Sequence, residues 1–423
     1  MKNLALAARE CQHGGREPDG PMGHNAPVDL DAFRWLLTEP GQRLLARAAE
    51  ASDDPLEASA QLRREARPEH VAVALTQVQL RRRAVPKFGD LAARMYFTPD
   101  GLEQATRFTV AEHRAARLQA AQPESVVDLG CGIGGDLIAF AGAGITSAGV
   151  DRDPVRVEVA RANLAALGLG GALMVADATT LDLEPFAIAF ADPARRSARG
   201  RTFSVDDWAP PWSFVETLLQ RDSCVKVAPG IPHELLPPDV EAEWVSDQGE
   251  VKEAALWSGQ LATTSRRATV IPSGRTGPFA RGLATLTDED LPEEPVPVAE
   301  APVSGFLYEP DGAVIRAGLV QAVAAGVHGR LLDEHIAYVV GDEAFRTPLA
   351  RSYRIVEELP HREKQLRAAL RERGIGRLTI KKRGVTVVPE ELRKRLALTG
   401  DAEGTIVLSR AAGKGICLLV EPF

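Results

Sequence analysis

Four aspartates in the middle of the chain, Asp128, Asp151, Asp177 and Asp192, each follow or close a short apolar segment. The first is followed by a glycine-rich turn at residues 130–135, and glycine tolerates positive φ and lets the backbone approach a ligand closely. A carboxylate attracts an ammonium group and accepts hydrogen bonds from hydroxyl and amino groups, whereas it repels a pyrophosphate. The spacing therefore predicts a site for a polar small molecule with an amino group rather than for a dinucleotide. A tight turn without a ligand is the alternative.

The apolar segments that carry these aspartates predict strands of a parallel sheet. A buried strand is expected at 126–129 and further strands at 147–150, 172–176 and 187–191, with helical segments between them. Strands that alternate with helices form a doubly wound α/β sheet, whose strands end at one common edge. A fifth strand is expected at 224–230. The last two strands, expected at 251–257 and 267–271, are predicted to be antiparallel.

The remaining segments suggest further domains, because 423 residues exceed the usual length of a single domain. Helical patterns fill the region before the sheet, with Asp29 or Asp31 as a first cap. Residues 95–99 then form either a lid over the pocket or a helix-packing joint. The predicted organisation is a disordered leader (1–24), a helical N-terminal domain (25–121), the α/β domain with the glycine-rich turn (122–284), an acidic, proline-rich linker (285–303) and a C-terminal α/β region (304–423).

Composition and charge exclude several classes of protein. The net charge of −8 argues against a uniformly basic nucleic-acid binder, and 45% hydrophobic residues can fill sizeable cores. The four cysteines lie far apart without a C-x-x-C pair, which favours a reducing cytoplasm and neither a disulfide framework nor a metal site. No uncharged apolar run is long enough to span a membrane, so no membrane association is expected.

One segment near the C-terminus departs from this acidic average. Residues 361–395 hold twelve Lys or Arg against four Asp or Glu, a net charge of +8, so the rest of the chain carries −16. Such an asymmetry favours contact with RNA, and Lys381, Lys382 and Arg383 follow a predicted strand where they can reach phosphates. Solvated helix faces explain much of the same pattern.

The motifs of residues 126–196 resemble the core of class I S-adenosylmethionine-dependent methyltransferases. The run D-L-G-C-G-I-G-G-D is followed in order by V-D-R-D-P, A-D-A and A-D-P-A-R-R. The resemblance implies a Rossmann-like sheet and S-adenosylmethionine as cofactor. The segment at 96–99 resembles that ahead of the core in the trimethylguanosine synthase family, which methylates the exocyclic N2 of guanine in RNA caps. Residues from about 357 to 423 are similar to the THUMP-like domain of some bacterial methyltransferases, and true THUMP domains bind RNA.

The resemblance also implies roles for individual residues. Asp128 and the glycines would shape the methionine end of the cofactor site, Asp151 the ribose end and Asp177 the adenine end. The implied cofactor residues are Asp128, Gly130, Cys131, Gly132, Gly134, Asp151, Arg152, Asp177, Ala178 and Asp192.

The segment after the fourth strand, Asp192-Pro193-Ala194-Arg195, occupies the position where amino methyltransferases carry D/N-P-P-(Y/F/W) and hold the acceptor NH₂. Ala194 replaces the second proline and Arg195 the aromatic residue, and a guanidinium can stack on a base or bind a phosphate. The implied catalytic residues are Asp192, Pro193, Ala194 and Arg195, and the substrate-binding residues are Arg196, Arg199, Arg201, Lys381, Lys382 and Arg383, with Trp208 and Trp212 as candidates for base stacking.

These features together favour a methyltransferase acting on a base nitrogen of ribosomal or transfer RNA. A methyltransferase acting on a protein or a small-molecule amine is the second hypothesis, in which the basic segment is a folding or partner surface. A non-catalytic RNA-binding protein with a degenerate core is the third. The oligomeric state is left open by the sequence.

Overall fold

A computed structural model of the chain describes residues 29–195, 208–272, 282–300 and 302–423. The predicted leader at 1–24 lies outside the described residues. The chain folds into two compact units. One comprises the residues up to Leu80 together with Thr98–Glu103, and the other comprises Arg81–Phe97 and Gln104–Phe423.

The region before the sheet is helical, as the sequence predicts. The helices are α1 (Leu30–Leu36), α2 (Glu39–Glu50), α3 (Pro55–Leu62), α4 (Pro68–Phe88), α5 (Pro99–Gln104) and α6 (Phe108–Ala120). Asp29 caps α1 by accepting the N–H groups of Asp31 and Ala32, and the side chain of Thr38 caps α2. Such caps satisfy backbone donors that a helix leaves unpaired in its first turn.

In the described part of the chain, nine strands form one mixed sheet. They are β1 (Val126–Leu129), β2 (Ser147–Asp151), β3 (Ala172–Val175), β4 (Ile188–Ala191), β7 (Ser223–Val227), β8 (Glu241–Asp247), β9 (Glu250–Ser258), β10 (Arg266–Ile271) and β11 (Ala284–Thr287). The strand order is β11-β10-β8-β9-β7-β4-β1-β2-β3. Two short strands, β5 (Ala194–Arg195) and β6 (Trp208–Ala209), pair separately.

The parallel half of this sheet confirms the predicted doubly wound arrangement. Strands β3, β2, β1, β4 and β7 run parallel, and the helices α7 (Gly135–Gly142), α8 (Pro154–Leu167) and α9 (Trp212–Leu218) lie between them in sequence. Strand β9 is antiparallel to both neighbours, as predicted for residues 251–257. For residues 267–271 the antiparallel prediction is wrong relative to the main direction of the sheet, because β10 runs parallel to β8. The edge strand β11 is antiparallel to β10.

Strand β8 itself is absent from the sequence-based prediction. Its acids Glu241 and Glu243 alternate with Ala242 and Trp244, so the strand has the pattern of a solvated edge. Both glutamates are instead fully buried, because Arg117 of α6 pairs with each of them at 2.6 and 3.0 Å. The burial of β8 depends on a helix that lies more than 120 residues earlier in the chain, so strand propensity alone does not identify it.

The C-terminal region forms a second sheet, as predicted. Its strands are β12 (Phe306–Pro310), β13 (Arg330–Asp333), β14 (Ile336–Gly341), β15 (Ala350–Leu359), β16 (Ile375–Lys382), β17 (Ala402–Ala411) and β18 (Lys414–Pro422), in the order β13-β14-β12-β15-β18-β17-β16. Its helices are α10 (Gly312–Ala317), α11 (Val320–Gly326), α12 (Glu363–Glu372) and α13 (Pro389–Leu396). Leu366 and Leu392 of α12 and α13 pack with Ile380 and Leu408 of the sheet.

The segment predicted as a linker contains part of one strand and one isolated bridge. Residues 285–287 belong to β11, and Val298 forms an isolated parallel bridge with Leu331. Helix α10 then packs on the first sheet, where Ser246 donates its hydroxyl to Asp311 Oδ2 at 3.0 Å and Arg266 donates to the carbonyl of Ala317 at 3.2 Å. The boundaries of the five predicted segments stay a prediction. Among the described helices, none has the length and apolarity needed to cross a membrane.

Candidate active site

The glycine-rich turn joins β1 to α7 and borders open space. Gly130, Gly132 and Gly134 have φ of +97°, +54° and +84°, which L side chains rarely adopt. A Cβ at Gly134 would lie 3.2 Å from the Cβ of Ala160 in α8, so this glycine permits close packing. Within the described ranges, a Cβ at Gly130 or Gly132 would meet no atom within 4 Å. The turn can therefore receive a ligand at the carboxyl edge of the sheet.

A buried asparagine holds this turn against the backbone at Tyr96. Asn163 of α8 donates to the carbonyl oxygens of Ile133 and Tyr96 at 2.9 and 3.0 Å, and its Oδ1 accepts the N–H of Tyr96 at 2.6 Å. Tyr96 and Phe97 are themselves buried. These contacts favour the helix-packing joint over the lid, and they fix one side of the turn.

Asp128 lies in β1 and is the most deeply buried of the four aspartates. The residue is 2% exposed, and among the described residues its Oδ1 has no hydrogen-bond partner. Burial raises the pKa of Asp128 well above its ordinary value, and the neighbouring carboxylates Asp136 and Asp192 raise it further. An unpaired buried carboxylate is stabilised by a cation. This position therefore fits the ammonium group of a ligand that carries an amino acid.

Asp151, the last residue of β2, connects the glycine-rich turn to the next strand. Its Oδ2 accepts the N–H of Gly132 at 3.0 Å, and its Oδ1 accepts the N–H of Asp153 at 2.9 Å. An ionised carboxylate offers about four acceptor positions, so roughly one position on each oxygen is left for a ligand. Two adjacent hydroxyl groups, as in a ribose, match this capacity.

Asp177 follows β3 and is held by two neighbours. Arg152 donates to Oδ2 at 2.7 Å, and Thr179 donates its N–H and its hydroxyl to Oδ1 at 2.9 and 2.7 Å. The hydrogen bond from Arg152 and those from Thr179 lower the pKa of Asp177 to about 2, so it is an acceptor at neutral pH. Ala178 begins a single 3₁₀ turn directly after it. Arg152 thus orients Asp177 rather than standing alone at the pocket.

Asp192 follows β4, beside β1 and its turn, and forms an ion pair that sequence reasoning missed. Lys226 of β7 places its Nζ 2.6 Å from Oδ2 of Asp192. In the described part of the chain, Oδ1 of Asp192 accepts no hydrogen bond, and the side chain is 32% exposed. In the sequence, the only sign of this ion pair is that Lys226 interrupts the apolar segment Cys224–Val227. Pro193, the next residue, is buried.

A second buried network lies beneath these groups. Arg114 of α6 is 1% exposed and pairs with both Asp136 of α7 and Glu253 of β9. Together with Asp128 and Asp192, these acids outnumber the two cations, Arg114 and Lys226, at this edge. An excess of acidic side chains at this edge, most of them buried, favours a cationic ligand, because a nearby cation stabilises their charged forms. Within the described ranges, no group of three or more His, Cys, Asp or Glu side chains is arranged to hold a metal ion.

The segment after Asp192 takes part in a separate two-stranded antiparallel pairing. Ala194 and Arg195 form β5, in which Ala194 pairs with Ala209 and Arg195 with Trp208 of β6. Arg196, Arg199 and Arg201 lie outside the described residues. Trp208 is 2% exposed and packs edge-on against Trp212, with ring centroids 5.4 Å apart. The prediction that Trp208 stacks on a base is therefore wrong, because its ring is buried in the hydrophobic core.

The three basic residues at the end of β16 have different surroundings. Lys381 pairs with Glu309 of β12 at 2.6 Å, and Arg383 lies 3.7 Å from the same carboxylate. Their charged groups lie over the rings of Tyr353 and Tyr338, respectively. Lys382 points to the other face and is exposed. The aspartates and the glycine-rich turn thus lie together at the edge of the first sheet, whereas these cations belong to the second sheet.

Comparisons with known families match three separate segments of the chain. Residues 126–193 match a methyltransferase domain, residues 350–422 match a THUMP domain-like family, and residues 29–84 match a domain of unknown function. The first two matches confirm the resemblances drawn from the motifs of the core and from the C-terminal region.

Relatives and solved structures extend the similarity to most of the chain. Proteins from two strains of Mycobacterium tuberculosis, each named an uncharacterised S-adenosylmethionine-dependent methyltransferase, are 38% identical to it over 346 residues, which is 78% of this chain and 90% of theirs. The crystal structure of a candidate methyltransferase from Porphyromonas gingivalis has a TM-score of 0.69 at 22% identity and covers 93% of this chain and 98% of its own. That structure shares the fold.

Proposed function

This chain belongs to the S-adenosylmethionine-dependent methyltransferases, and we propose that it methylates a base nitrogen of RNA, either ribosomal or transfer RNA. S-adenosylmethionine supplies an electrophilic methyl group, so the protein has to orient the acceptor and stabilise the charge that develops on it. The observation that carries the proposal is the position of Asp192. It follows β4 beside the glycine-rich turn of β1, with one carboxylate oxygen held by Lys226 and the other without a hydrogen-bond partner among the described residues.

The cofactor is assigned to the edge formed by β1, β2 and β3. Oδ1 of Asp128, which has no hydrogen-bond partner in the described part of the chain, would receive its ammonium group, and the glycine-rich turn would face its methionine part. The remaining acceptor positions of Asp151 would bind the ribose hydroxyls. Asp177, which is ionised at neutral pH, would accept from the adenine amino group beside Ala178. The excess of carboxylates at this edge supports a ligand that carries positive charge.

The acceptor amine is assigned to Asp192 and Pro193. Oδ1 of Asp192 would accept a hydrogen bond from the amine and would offset the positive charge that develops on nitrogen. The carbonyl of Pro193 would supply a second acceptor. A strong base is not required, because the N-methylated product is acidic enough to lose its proton to water. Arg195 follows at the place of the family's aromatic residue and is assigned to the base or to a phosphate.

An RNA substrate is supported by the C-terminal sheet. The THUMP-like match covers 350–422 and includes the basic segment. The exposed basic side chains of that segment include Arg362, Lys364, Lys382 and Lys394. Exposed cations on one domain can bind phosphates whatever the net charge of the whole chain. Cys131, Cys224 and Cys417 are free thiols, which supports a reducing compartment such as the cytoplasm.

A protein or small-molecule amine is the second candidate acceptor. It is favoured by the number of basic residues in the segment that serve the fold. Arg373 forms two hydrogen bonds with Glu357, Arg377 pairs with Glu403, and Lys381 pairs with Glu309. These pairs leave a smaller basic surface than the sequence suggests.

The two candidates differ in which fraction of a lysate becomes labelled. The lysate comes from a strain that lacks the gene, and the purified protein is supplied with S-adenosylmethionine labelled in its methyl group. We expect label that RNase removes and protease does not, and none with Asp192→Ala, whose affinity for S-adenosylmethionine by calorimetry should be unchanged. Label that only protease removes would refute RNA as the substrate. Lost cofactor affinity in Asp192→Ala would move this residue into the cofactor site.

A further inference from the structure

A buried lysine stands beside the carboxylate that is assigned to the acceptor amine. In the parallel pairing of β4 and β7, Ala191 lies opposite Val225, so the next residues, Asp192 and Lys226, lie side by side. The lysine Nζ is 2.6 Å from Oδ2 of Asp192, and only 17% of the lysine side chain is exposed. This lysine therefore approaches the proposed acceptor site from inside the sheet.

A second contact fixes the lysine in place. Its Nζ also donates to Oγ1 of Thr106 at 3.2 Å, and that hydroxyl donates to Oδ2 of Asp136 at 3.0 Å. Asp136 lies in the first turn of α7, directly after the glycine-rich turn, and is held by Arg114. A continuous chain of hydrogen bonds thus connects Asp192 to the helix that begins at the cofactor edge.

The lysine remains charged in this environment. Burial opposes its charge, but Asp192, Glu253 and Asp136 together raise the pKa of Lys226 above its ordinary value. An ammonium group has three donors and no lone pair, so Lys226 cannot accept a proton from the substrate. Its chemistry is limited to donating hydrogen bonds and supplying positive charge.

We propose that Lys226 is a positioning residue for methyl transfer, which holds Oδ2 of Asp192 so that Oδ1 is presented to the acceptor amine. The inference rests on the proposed role of Asp192 and does not depend on whether the amine belongs to RNA, to a protein or to a small molecule. Without the ammonium group, Asp192 and the nearby acids Asp128 and Asp136 have one cation fewer among them, and the Asp192 side chain gains rotamer freedom. A displacement of about 1 Å at a reacting group lowers a rate by roughly 100-fold.

The test compares three substitutions in the full-length protein. Lys226→Met removes the charge at similar size, Lys226→Arg retains it, and Lys252→Met is the matched control. The side chain of Lys252, on the neighbouring strand β9, is 20% exposed and pairs with the exposed Glu250 at 2.5 Å rather than with Asp192. Initial rates are measured over a dilution series of lysate from the strain that lacks the gene, at saturating labelled S-adenosylmethionine. Calorimetry gives the Kd for the cofactor.

We expect Lys226→Met to lower the apparent kcat by about 10- to 100-fold, with the apparent KM and the cofactor Kd changed by less than about threefold. Lys226→Arg should restore most of the rate, and Lys252→Met should leave it unchanged. If Lys226 had only a structural role, Lys226→Met would not lower kcat while leaving the apparent KM and the cofactor Kd unchanged, and Lys226→Arg would not restore the rate.

Three results would overturn the inference. They are a normal rate in Lys226→Met when Asp192→Ala is inactive, a Lys226→Arg variant as slow as Lys226→Met, and a loss of cofactor affinity that accounts for the loss of rate. Label found in protein instead of RNA would refute the proposed substrate and would leave the positioning role of Lys226 measurable. Normal transfer by Asp192→Ala would refute both.

Discussion

Asp151→Ala should weaken the binding of S-adenosylmethionine strongly, because two ribose hydroxyls are expected to donate to this carboxylate. Hydrogen bonds to a charged group contribute about 1.5–3 kcal/mol each. Two such bonds at the lower limit give about 3 kcal/mol, which corresponds to a Kd roughly 150-fold higher. The substitution also releases the N–H of Gly132, so the glycine-rich turn loses one of its anchors.

Isothermal titration calorimetry with S-adenosylmethionine measures this change directly. Asp153→Ala is the matched control, since Asp153 lies two residues away and caps α8 by accepting the N–H of Val155 at 2.8 Å. That control should cost about 1 kcal/mol of stability while leaving the cofactor Kd unchanged. Asp151→Asn keeps one oxygen acceptor and should show an intermediate affinity. An affinity within threefold of the unsubstituted protein in Asp151→Ala would refute the placement of the ribose at β2.

Further predictions concern RNA contact, pH and the buried network. In filter binding to total RNA, the slope of log K for RNA binding against log salt concentration should fall in magnitude by about 3 when four exposed cations are neutralised together, if each binds one phosphate. These cations are Arg362, Lys364, Lys382 and Lys394. The control is the neutralisation of the exposed Arg43, Arg47, Arg63 and Arg64, which should leave the slope unchanged. Burial raises the pKa of Glu112 to about 7 from 4.5, so its charged form opposes folding and stability is lost as pH rises from about 4.5 through 7. Glu112→Gln should therefore raise Tm at pH 8 and increase the free energy of unfolding by about 1–2 kcal/mol, after allowance for solvent screening of this half-buried group. At pH 4.5 the substitution should have little effect. An equal gain at both pH values would contradict burial of the charge as the cause. Arg114→Met leaves Asp136 and Glu253 without their shared cation and should lower the free energy of unfolding in urea by about 3–5 kcal/mol. Arg43→Met, which breaks an exposed pair with Glu39, should lower it by less than about 1 kcal/mol, and equal effects would show that burial does not set the cost.

The cofactor edge was predictable because its signals are local in sequence. The glycine-rich turn follows β1 directly, and Asp151, Asp177 and Asp192 each close or follow an apolar run that forms a strand. Strand period and turn chemistry depend on neighbouring residues, so a single sequence contains them.

The features that sequence reasoning missed depend on partners far along the chain. Glu243 is buried in β8 because His113 and Arg117 of α6 and Trp257 of β9 bind its carboxylate. Burial acts to raise the pKa of Glu243, but His113, Arg117 and the hydroxyl of Thr269 hold it below its ordinary value. A strand whose acids are neutralised from more than a hundred residues away has the sequence pattern of an exposed one.

In the basic segment, sequence reasoning overestimates the number of cations that are free to bind RNA. Lys381 and Arg383 have the composition of an RNA-binding surface, yet Glu309, which lies 72 residues before Lys381, pairs with both. Charge counts along a sequence do not tell which cations are compensated in the fold. The exposed Lys382, one position away on the opposite face of β16, keeps its place in the proposed RNA surface.

Nucleoside mass spectrometry of total RNA tests the proposed substrate most directly. RNA is compared between a parent strain, a strain that lacks the gene and the same strain supplied with either the unsubstituted gene or Asp192→Ala. We expect one nucleoside methylated on a base nitrogen to disappear on deletion, to return with the unsubstituted gene and to stay absent with Asp192→Ala. Identical methylated nucleosides in all four samples would contradict RNA as the acceptor, and a lost nucleoside methylated on carbon or ribose oxygen would contradict the role of Asp192 in binding an amine.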